Sequence, residues 1–397
     1  MNGKILLLSG PFGEGHKQAA QALLETCRLT RPSAEAVTVD FMEWTLPRLH
    51  GWSKAVFHQG VQKFPSVYGY LFRRTKKPSA FSTLTGRLRW YGLKRIAKLL
   101  AEVKPSVVVS TFPLAAAAMS AMKLAGLTDV PTVTVITDHT DHSYWVHPGT
   151  DRYVVGSEKV RSGLLEIGVP DYRITVTGIP VRPPFCTGGS SCERPALRAK
   201  LGLRTDMPVL LMMGGGYGMM HEGMVRLMEE EARKGTSQVI VVCGHNEKLR
   251  TKLEERLNAA VPGHGVRLTG FVTNMEEYMA ASDLIVTKPG GLTTTEAIAM
   301  RLPMVLFRPL PGQEEDNADF LTEAGVAVRA RVERELVAVV GKLLDEPERL
   351  AAMRAHAERL HMETSSFHAL DAIFSARHIP LPRWENSVVH SVYENAH

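Results

Sequence analysis

The sequence predicts an α/β protein of two similar units, each a mostly parallel sheet with helices on both faces. Three observations carry this. Short apolar, β-branched runs alternate with helical patterns along nearly the whole chain, as parallel strands joined by crossover helices require. The alternation stops in a stretch rich in Pro, Gly and Ser, residues 183–205, and then restarts. Each half opens on a strand followed by a glycine-rich turn, Gly10-Pro-Phe-Gly-Glu-Gly15 in the first and Gly214-Gly-Gly-Tyr-Gly218 in the second.

In the first half the patterns give strands at 4–9, 36–41, 107–111, 132–137, 152–156 and 174–177. Helices fall at 16–28, 92–103, 114–125 and 158–167. The second half gives strands at 209–213, 238–243, 266–269, 284–287, 303–307 and 326–328. Its helices fall at 221–234, 246–259, 274–281, 293–300, 314–323 and 333–343, with two more near 347–359 and 365–376. The expected organisation is a domain over 1–182, a linker over 183–205, a domain over 206–360, and a C-terminal helix and tail over 361–397. The two domains are expected to be Rossmann-like and to face a cleft.

A chain of 397 residues, 44% of them hydrophobic, can build two cores of ordinary size. Four cysteines, Cys27, Cys186, Cys192 and Cys243, form no close pair of the CxxC kind, which suits reduced thiols in the cytosol. The first strand begins at once and its apolar run is too short for a signal peptide. No run of about 18 apolar residues is present, so no membrane-spanning helix is expected.

Charge is unevenly spread. Between Trp44 and Ala101 there are twelve basic residues and no acidic one, a local charge of +12 in a chain whose formal net charge is +6, so the remainder sums to −6. The stretch is interleaved with aromatics, among them Trp52, Phe64, Phe72 and Trp90. Cations beside aromatics suit an anionic bilayer surface. They also suit nucleic acid, but no nucleic-acid-binding motif accompanies them, and none is expected as a partner. The bland alternative is a solvated basic face. Arg73, Arg74, Lys76, Lys77, Trp90 and Trp145 are the expected membrane or acceptor contacts.

Four constellations carry chemistry. Gly10 to Gly15 nearly has P-loop spacing, but His16 and Gln18 stand where Lys and Ser/Thr are required, so a phosphate cradle is disfavoured. His16 falls at a helix start, where the backbone field opposes protonation and favours a neutral imidazole able to accept a proton. Its plain alternative is a capping or packing histidine. Asp138 closes a strand, where catalytic groups gather in parallel sheets, and is a candidate base or the group that orients one. Its neighbours His139, Asp141, His142 and His147 have no recognised zinc spacing, so no metal site is expected. Gly214, Gly215, Gly216 and Gly218 form a candidate pyrophosphate cradle. The stronger donor-side signal is Lys288-Pro-Gly-Gly-Leu-Thr-Thr-Thr-Glu296 followed by Pro309-Leu-Pro-Gly-Gln-Glu-Glu-Asp-Asn317. The amides and threonines of the first suit a diphosphate, and Glu296 suits ribose hydroxyls. Gln313, Glu314 and Asn317 in the second suit sugar hydroxyls.

Taken together, Gly13-Glu-Gly-His16, Thr111-Phe-Pro113, Thr137-Asp138 with Trp145-Val-His147, Gly178-Ile-Pro180, Lys288-Pro-Gly-Gly291 with Thr295-Glu296, and Pro311-Gly-Gln-Glu314 with Asn317 resemble a known family. It is that of the bacterial processive diacylglycerol β-glucosyltransferases and plant monogalactosyldiacylglycerol synthases, which is like glycosyltransferase family 28. The resemblance runs from about residue 4 to residue 365. It implies a GT-B fold and transfer of a hexose, with inversion, from a UDP-sugar to 1,2-diacylglycerol. UDP-glucose is the expected donor and UDP-galactose the alternative. It ties His16 and Asp138 to the acceptor hydroxyl. Gly214 to Gly218, Gly291, Thr294, Thr295 and Glu296 would bind UDP, and Gln313, Glu314 and Asn317 the sugar. It implies no metal or other cofactor, and a peripheral protein on the cytoplasmic face of the membrane. The remaining alternatives are another lipid acceptor, or a non-catalytic protein that binds a UDP-sugar or anionic lipid.

Overall fold

The structure, a computed structural model, describes residues 3–11, 14–47, 70, 72, 86–187, 194–216, 218–360 and 365–380. They form two compact units, residues 1–183 with 364–397, and residues 184–363.

The first unit is a six-stranded parallel sheet: β1 (Lys4–Ser9), β2 (Glu35–Asp40), β3 (Val107–Ser110), β4 (Thr132–Val135), β5 (Arg152–Val155) and β6 (Ile174–Val176), in the order β2-β1-β3-β4-β5-β6. Alternation along β1 sorts its side chains between two cores. Ile5 and Leu7 meet Ala20, Leu23 and Cys27 of helix Glu14–Thr30. Leu6 and Leu8 meet Ile96, Leu99, Met119 and Met122 of helices Gly86–Val103 and Pro113–Leu124. The C-terminal helix Ser365–Ser375 belongs to this unit, not to a separate tail. Ala369, Leu370, Ala372 and Ile373 close this core over β3 and β5, beside helix Glu14–Thr30. Ser366 Oγ donates to Val181 O. Ile379 N donates to Asp151 Oδ1 at 2.7 Å, while Asp151 Oδ2 takes Lys123 Nζ at 2.6 Å in a buried pair.

The second unit holds β7 (Val209–Met213), β8 (Gln238–Val242), β9 (Arg267–Thr269), β10 (Leu284–Thr287), β11 (Met304–Phe307) and β12 (Ala327–Ala330), all parallel, in the order β12-β11-β10-β7-β8-β9. Read from the far edge this is the order 3-2-1-4-5-6 of dinucleotide-binding folds. The expected linker is partly ordered. Helix Arg194–Lys200 docks on this unit, where Arg194 and Arg198 bind Asp283 at 3.0 and 2.6 Å and Arg354 reaches the same carboxylate at 3.0 Å.

In parallel sheets the loops beyond the strand C-termini share one edge, and ligands gather where the strand order reverses. That point lies between β1 and β3 in the first unit and between β7 and β10 in the second. Among the described residues no helix is long and apolar enough to cross a membrane.

The helix Ser365–Ser375 gives a direct test. Ile373 is fully buried, so Ile373→Ala should lower the stability of the first unit by about 2–4 kcal/mol. All five tryptophans belong to that unit, so fluorescence during urea unfolding reads it alone. A loss below about 1 kcal/mol would show that the helix is not part of its core.

Candidate functional site

In the first unit the candidate groups hang from β1, β3 and β4. His16 is the third residue of helix Glu14–Thr30, which follows β1. Thr111, just after β3, donates its hydroxyl to His16 O at 2.9 Å and so ties the two loops at the switch point. The His16 ring stands edge-on to Phe112 and Trp145, with centroids at 5.4 and 6.0 Å. Its Nδ1 lies 3.1 Å from Thr137 Oγ1. Desolvation pushes the His16 pKa down to about 4, against a smaller upward pull from the Thr111 backbone. The imidazole is therefore neutral near pH 7; the cause is burial and not the helix start from which neutrality was expected. Asp138 is half-buried three residues beyond the end of β4 and adjoins Thr137.

The segment after Asp138 is organised by His142. Its Nδ1 accepts from Tyr144 N at 3.1 Å, and its Nε2 donates to Phe72 O at 2.8 Å. Both ring nitrogens are thus spent on the backbone. Among the described residues no three His, Cys, Asp or Glu side chains converge as a metal-binding group.

Trp145 corrects an expectation. It is fully buried among Ile136, Tyr153, Val160 and Leu164, so it presents no surface to a membrane. Among the described residues its Nε1–H has no hydrogen-bond partner. Arg73, Arg74, Lys76 and Lys77 lie outside the described residues. Trp90 lies in helix Gly86–Val103, with its side chain outside them. Phe72, read as one aromatic of a surface stretch, is buried with its ring 4.3 Å from that of His142.

In the second unit, Gly214 to Gly218 follow β7. Two of these glycines are explained by packing. A Cβ on Gly214 would strike the Met219 backbone, and one on Gly218, at φ +60°, the Cys243 carbonyl. Gly215 and Gly216 are half-buried. Gly291 is the first residue of helix Gly291–Ala299, whose start has no side-chain cap. The first N–H groups of that helix lack partners within it, and among the described residues nothing stands within 4 Å of a Cβ built on Gly290.

Several donor-side residues turn inward. Thr294 Oγ1 donates to Gly290 and Gly291 carbonyls at 3.0 and 3.1 Å, and Thr295 Oγ1 to Gly291 O at 2.7 Å. The hydroxyl hydrogens brace the helix, which leaves the backbone N–H groups as its donors. Asn317 is fully buried and donates to Pro289 O at 3.0 Å, so it fixes the Lys288-Pro-Gly-Gly291 turn. Glu314 accepts from Lys288 Nζ at 2.5 Å and from Leu310 N at 2.9 Å. Glu296 is buried one turn into its helix, and Gln313 is half-buried at the start of helix Gln313–Glu323. Arg308, exposed at the end of β11 with φ +49°, and Lys288 both hold His221 below its ordinary pKa, after desolvation as the main cause.

Sequence reasoning missed one feature. His245, after β8, stacks on Phe271, after β9, at 4.1 Å and 11° between planes. Phe271 is 47% exposed, and His245 N donates to Gly216 O at 3.1 Å. A flat ring pair beside the glycine turn can take a planar base. Position after a strand was the one sequence signal, and it does not foretell stacking.

Residues 16–181 match the monogalactosyldiacylglycerol (MGDG) synthase family, and residues 209–369 match the glycosyltransferase family 28 C-terminal domain. Over 384 residues the chain is 31% identical to a processive diacylglycerol beta-glucosyltransferase of Bacillus subtilis (strain 168), covering 92% of this chain and 93% of that protein. Among solved structures it is similar to Acinetobacter baumannii MurG, with TM-score 0.60 and 15% identity over 94% of this chain and 99% of that one. Anabaena Alr3699/HepE in complex with UDP gives TM-score 0.57 and 15% identity over 94% and 100%. These likenesses show a GT-B fold.

Three histidines of the first unit share one electrostatic state. Burial pushes His16 to about 4, His139 to about 3 and His147 to about 4. Unfolding returns each to about 6.5. The unfolded chain therefore binds more protons between these values, and stability falls as pH drops below about 6.5. Urea midpoints read by tryptophan fluorescence should be flat above pH 7 and fall steeply toward pH 5. A flat profile across that window would show that the three rings are not held neutral.

Proposed function

This chain belongs to the family of the diacylglycerol glycosyltransferases, and from that premise we propose that it transfers glucose from UDP-glucose to the free hydroxyl of 1,2-diacylglycerol, giving β-glucosyl-diacylglycerol. The observation that carries this reading is the coincidence of two chemistries with two switch points. A neutral imidazole stands 3.1 Å from Thr137, the residue before Asp138, at one, and an open helix start with a glycine turn lies at the other.

In this reading the acceptor oxygen attacks the anomeric carbon from the face opposite UDP, so configuration inverts. The bond from that carbon to the UDP β-phosphate oxygen breaks, and the acceptor proton passes to His16. Asp138 is the neighbouring carboxylate that supports this transfer. Departing UDP takes the bond electrons, and the N–H groups at the start of helix Gly291–Ala299 meet its charge, so no metal cofactor is required. The His245–Phe271 pair offers the uracil a face, Glu296 the ribose, and Gln313 and Glu314 the sugar. Because diacylglycerol stays in the bilayer, the protein works as a peripheral enzyme at the cytoplasmic face, with residues 44–101 against anionic lipids.

A second donor has its own support: the MGDG synthase match over residues 16–181 favours UDP-galactose. Purified protein on anionic vesicles containing diacylglycerol should release UDP from UDP-glucose with formation of a glucolipid, at a rate unchanged by EDTA. Release from UDP-galactose instead would move the assignment to the second donor, and release from neither would overturn both. Glu296→Ala should weaken UDP binding on the order of tenfold, the loss of a buried hydrogen-bonding carboxylate. Asp138→Asn should suppress transfer on the order of a hundredfold with UDP affinity unchanged. Loss of UDP affinity in Asp138→Asn would remove that residue from the acceptor chemistry.

A further inference from the structure

We propose that Thr137 is a positioning residue that fixes the tautomer of His16, taking the hydrogen of Nδ1 so that Nε2 carries the lone pair. The proposal rests on the reading of His16 as the group that accepts the acceptor proton, and it goes further by naming the nitrogen and the residue that selects it.

The geometry begins with the contact itself, 3.1 Å between Thr137 Oγ1 and His16 Nδ1. Thr137 is buried, with 3% of its surface exposed, so it makes this contact without competition from bulk water. It follows β4, and Thr111 follows the adjacent strand β3. Thr111 secures His16 from the other side by donating its hydroxyl to His16 O, with a second, longer bond to Leu8 O at 3.4 Å. Phe112 and Trp145 then hold the ring edge-on. The ring is thus located by its own backbone, by two aromatic faces and by one hydrogen bond at Nδ1.

A threonine hydroxyl donates or accepts with equal ease, so the distance alone leaves two tautomers. The role proposed for the ring selects between them. Nδ1 faces buried Thr137, so Nε2 is the nitrogen left for the acceptor hydroxyl. With Nδ1 protonated, Nε2 is free to take a proton, whereas the other tautomer leaves Nε2 as a donor unable to act as base.

The partner of Nδ1 is a neutral hydroxyl, not a carboxylate. It orients the ring and selects its tautomer without adding a negative charge that would favour the imidazolium. A carboxylate in that place would lift the ring's pKa and populate the protonated, non-basic form near neutrality.

The test uses the full chain on anionic vesicles containing diacylglycerol, with UDP-glucose as donor. Thr137→Val keeps the shape and loses the hydroxyl, and should lower kcat on the order of tenfold to a hundredfold with KM for UDP-glucose unchanged. Thr137→Ser restores the hydroxyl and should recover most of the rate. Independently, 15N spectra of histidine-labelled wild-type protein at pH 7 should show His16 with Nδ1 protonated and Nε2 bare. This spectrum needs no variant and stands even if Thr137→Val fails to fold. Wild-type kcat in Thr137→Val, equal loss in Thr137→Ser, or a His16 signal with Nε2 protonated would each overturn the proposal. If the wild-type protein makes glycolipid from neither donor, the functional reading fails while the spectrum still decides the tautomer.

Discussion

Parallel strand pairing is the constraint on which the rest of this molecule depends. β1 pairs with β2 and β3 in a register that brings the ends of β1 and β3 side by side, and β7 does the same with β8 and β10. A parallel ladder forces every connection to cross over a sheet face, so helices cover both faces and the C-terminal loops share an edge. His16, Thr111 and Thr137 are neighbours because three consecutive strands in one sheet point the same way. The glycine turn and the Lys288-Pro-Gly-Gly291 turn are neighbours for the same reason.

On that frame, most polar residues of the two sites support rather than contact. Asn317 holds the backbone of Pro289, Thr294 and Thr295 brace the first turn of their helix, and Lys288 holds Glu314. Each bond satisfies a buried group that would otherwise cost free energy, and each fixes a loop whose backbone is then presented. Under the proposed function, backbone N–H groups and a few side chains, His16 above all, are the groups left for ligand chemistry. Under that proposal, such preorganisation lowers the reorganisation needed when charge develops on a departing diphosphate.

Much of this was legible in the sequence, for physical reasons. Strand and helix periods are local and strong, so element positions follow from them, mostly to a residue or two at the ends, though helix Gly86–Val103 starts six residues before the expected 92 and the short helices Phe41–Thr45, Pro183–Thr187 and Arg194–Lys200 have no period to show them. Glycine and proline punctuate the chain, so both glycine-rich turns and the break near residue 183 stand out. What stays hidden is the direction of a side chain. The sequence places Trp145 beside Tyr144 in a polar segment, yet the core formed by Ile136, Tyr153, Val160 and Leu164 has room for its indole, and it turns inward. The same holds for Asn317, whose amide finds a carbonyl 28 residues earlier. The His245–Phe271 stack joins residues after different strands, a pairing no local period encodes. The place of helix Ser365–Ser375 is hidden likewise, because an apolar helical face does not say which core it closes.

That helix has a consequence for how the chain is made. The second unit, residues 184–363, is an insertion within the first, which is complete only when Ala369, Leu370 and Ile373 arrive. During synthesis the second unit has all its residues while one face of the first sheet, covered by helix Glu14–Thr30 alone, still lacks the part of its cover that helix Ser365–Ser375 supplies over β3 and β5. The usual order, N-terminal domain first, is therefore reversed in its final step. A nascent chain stalled short of residue 365 carries a finished nucleotide-fold unit and a partly uncovered apolar sheet face, a natural target for chaperones and a seed for aggregation.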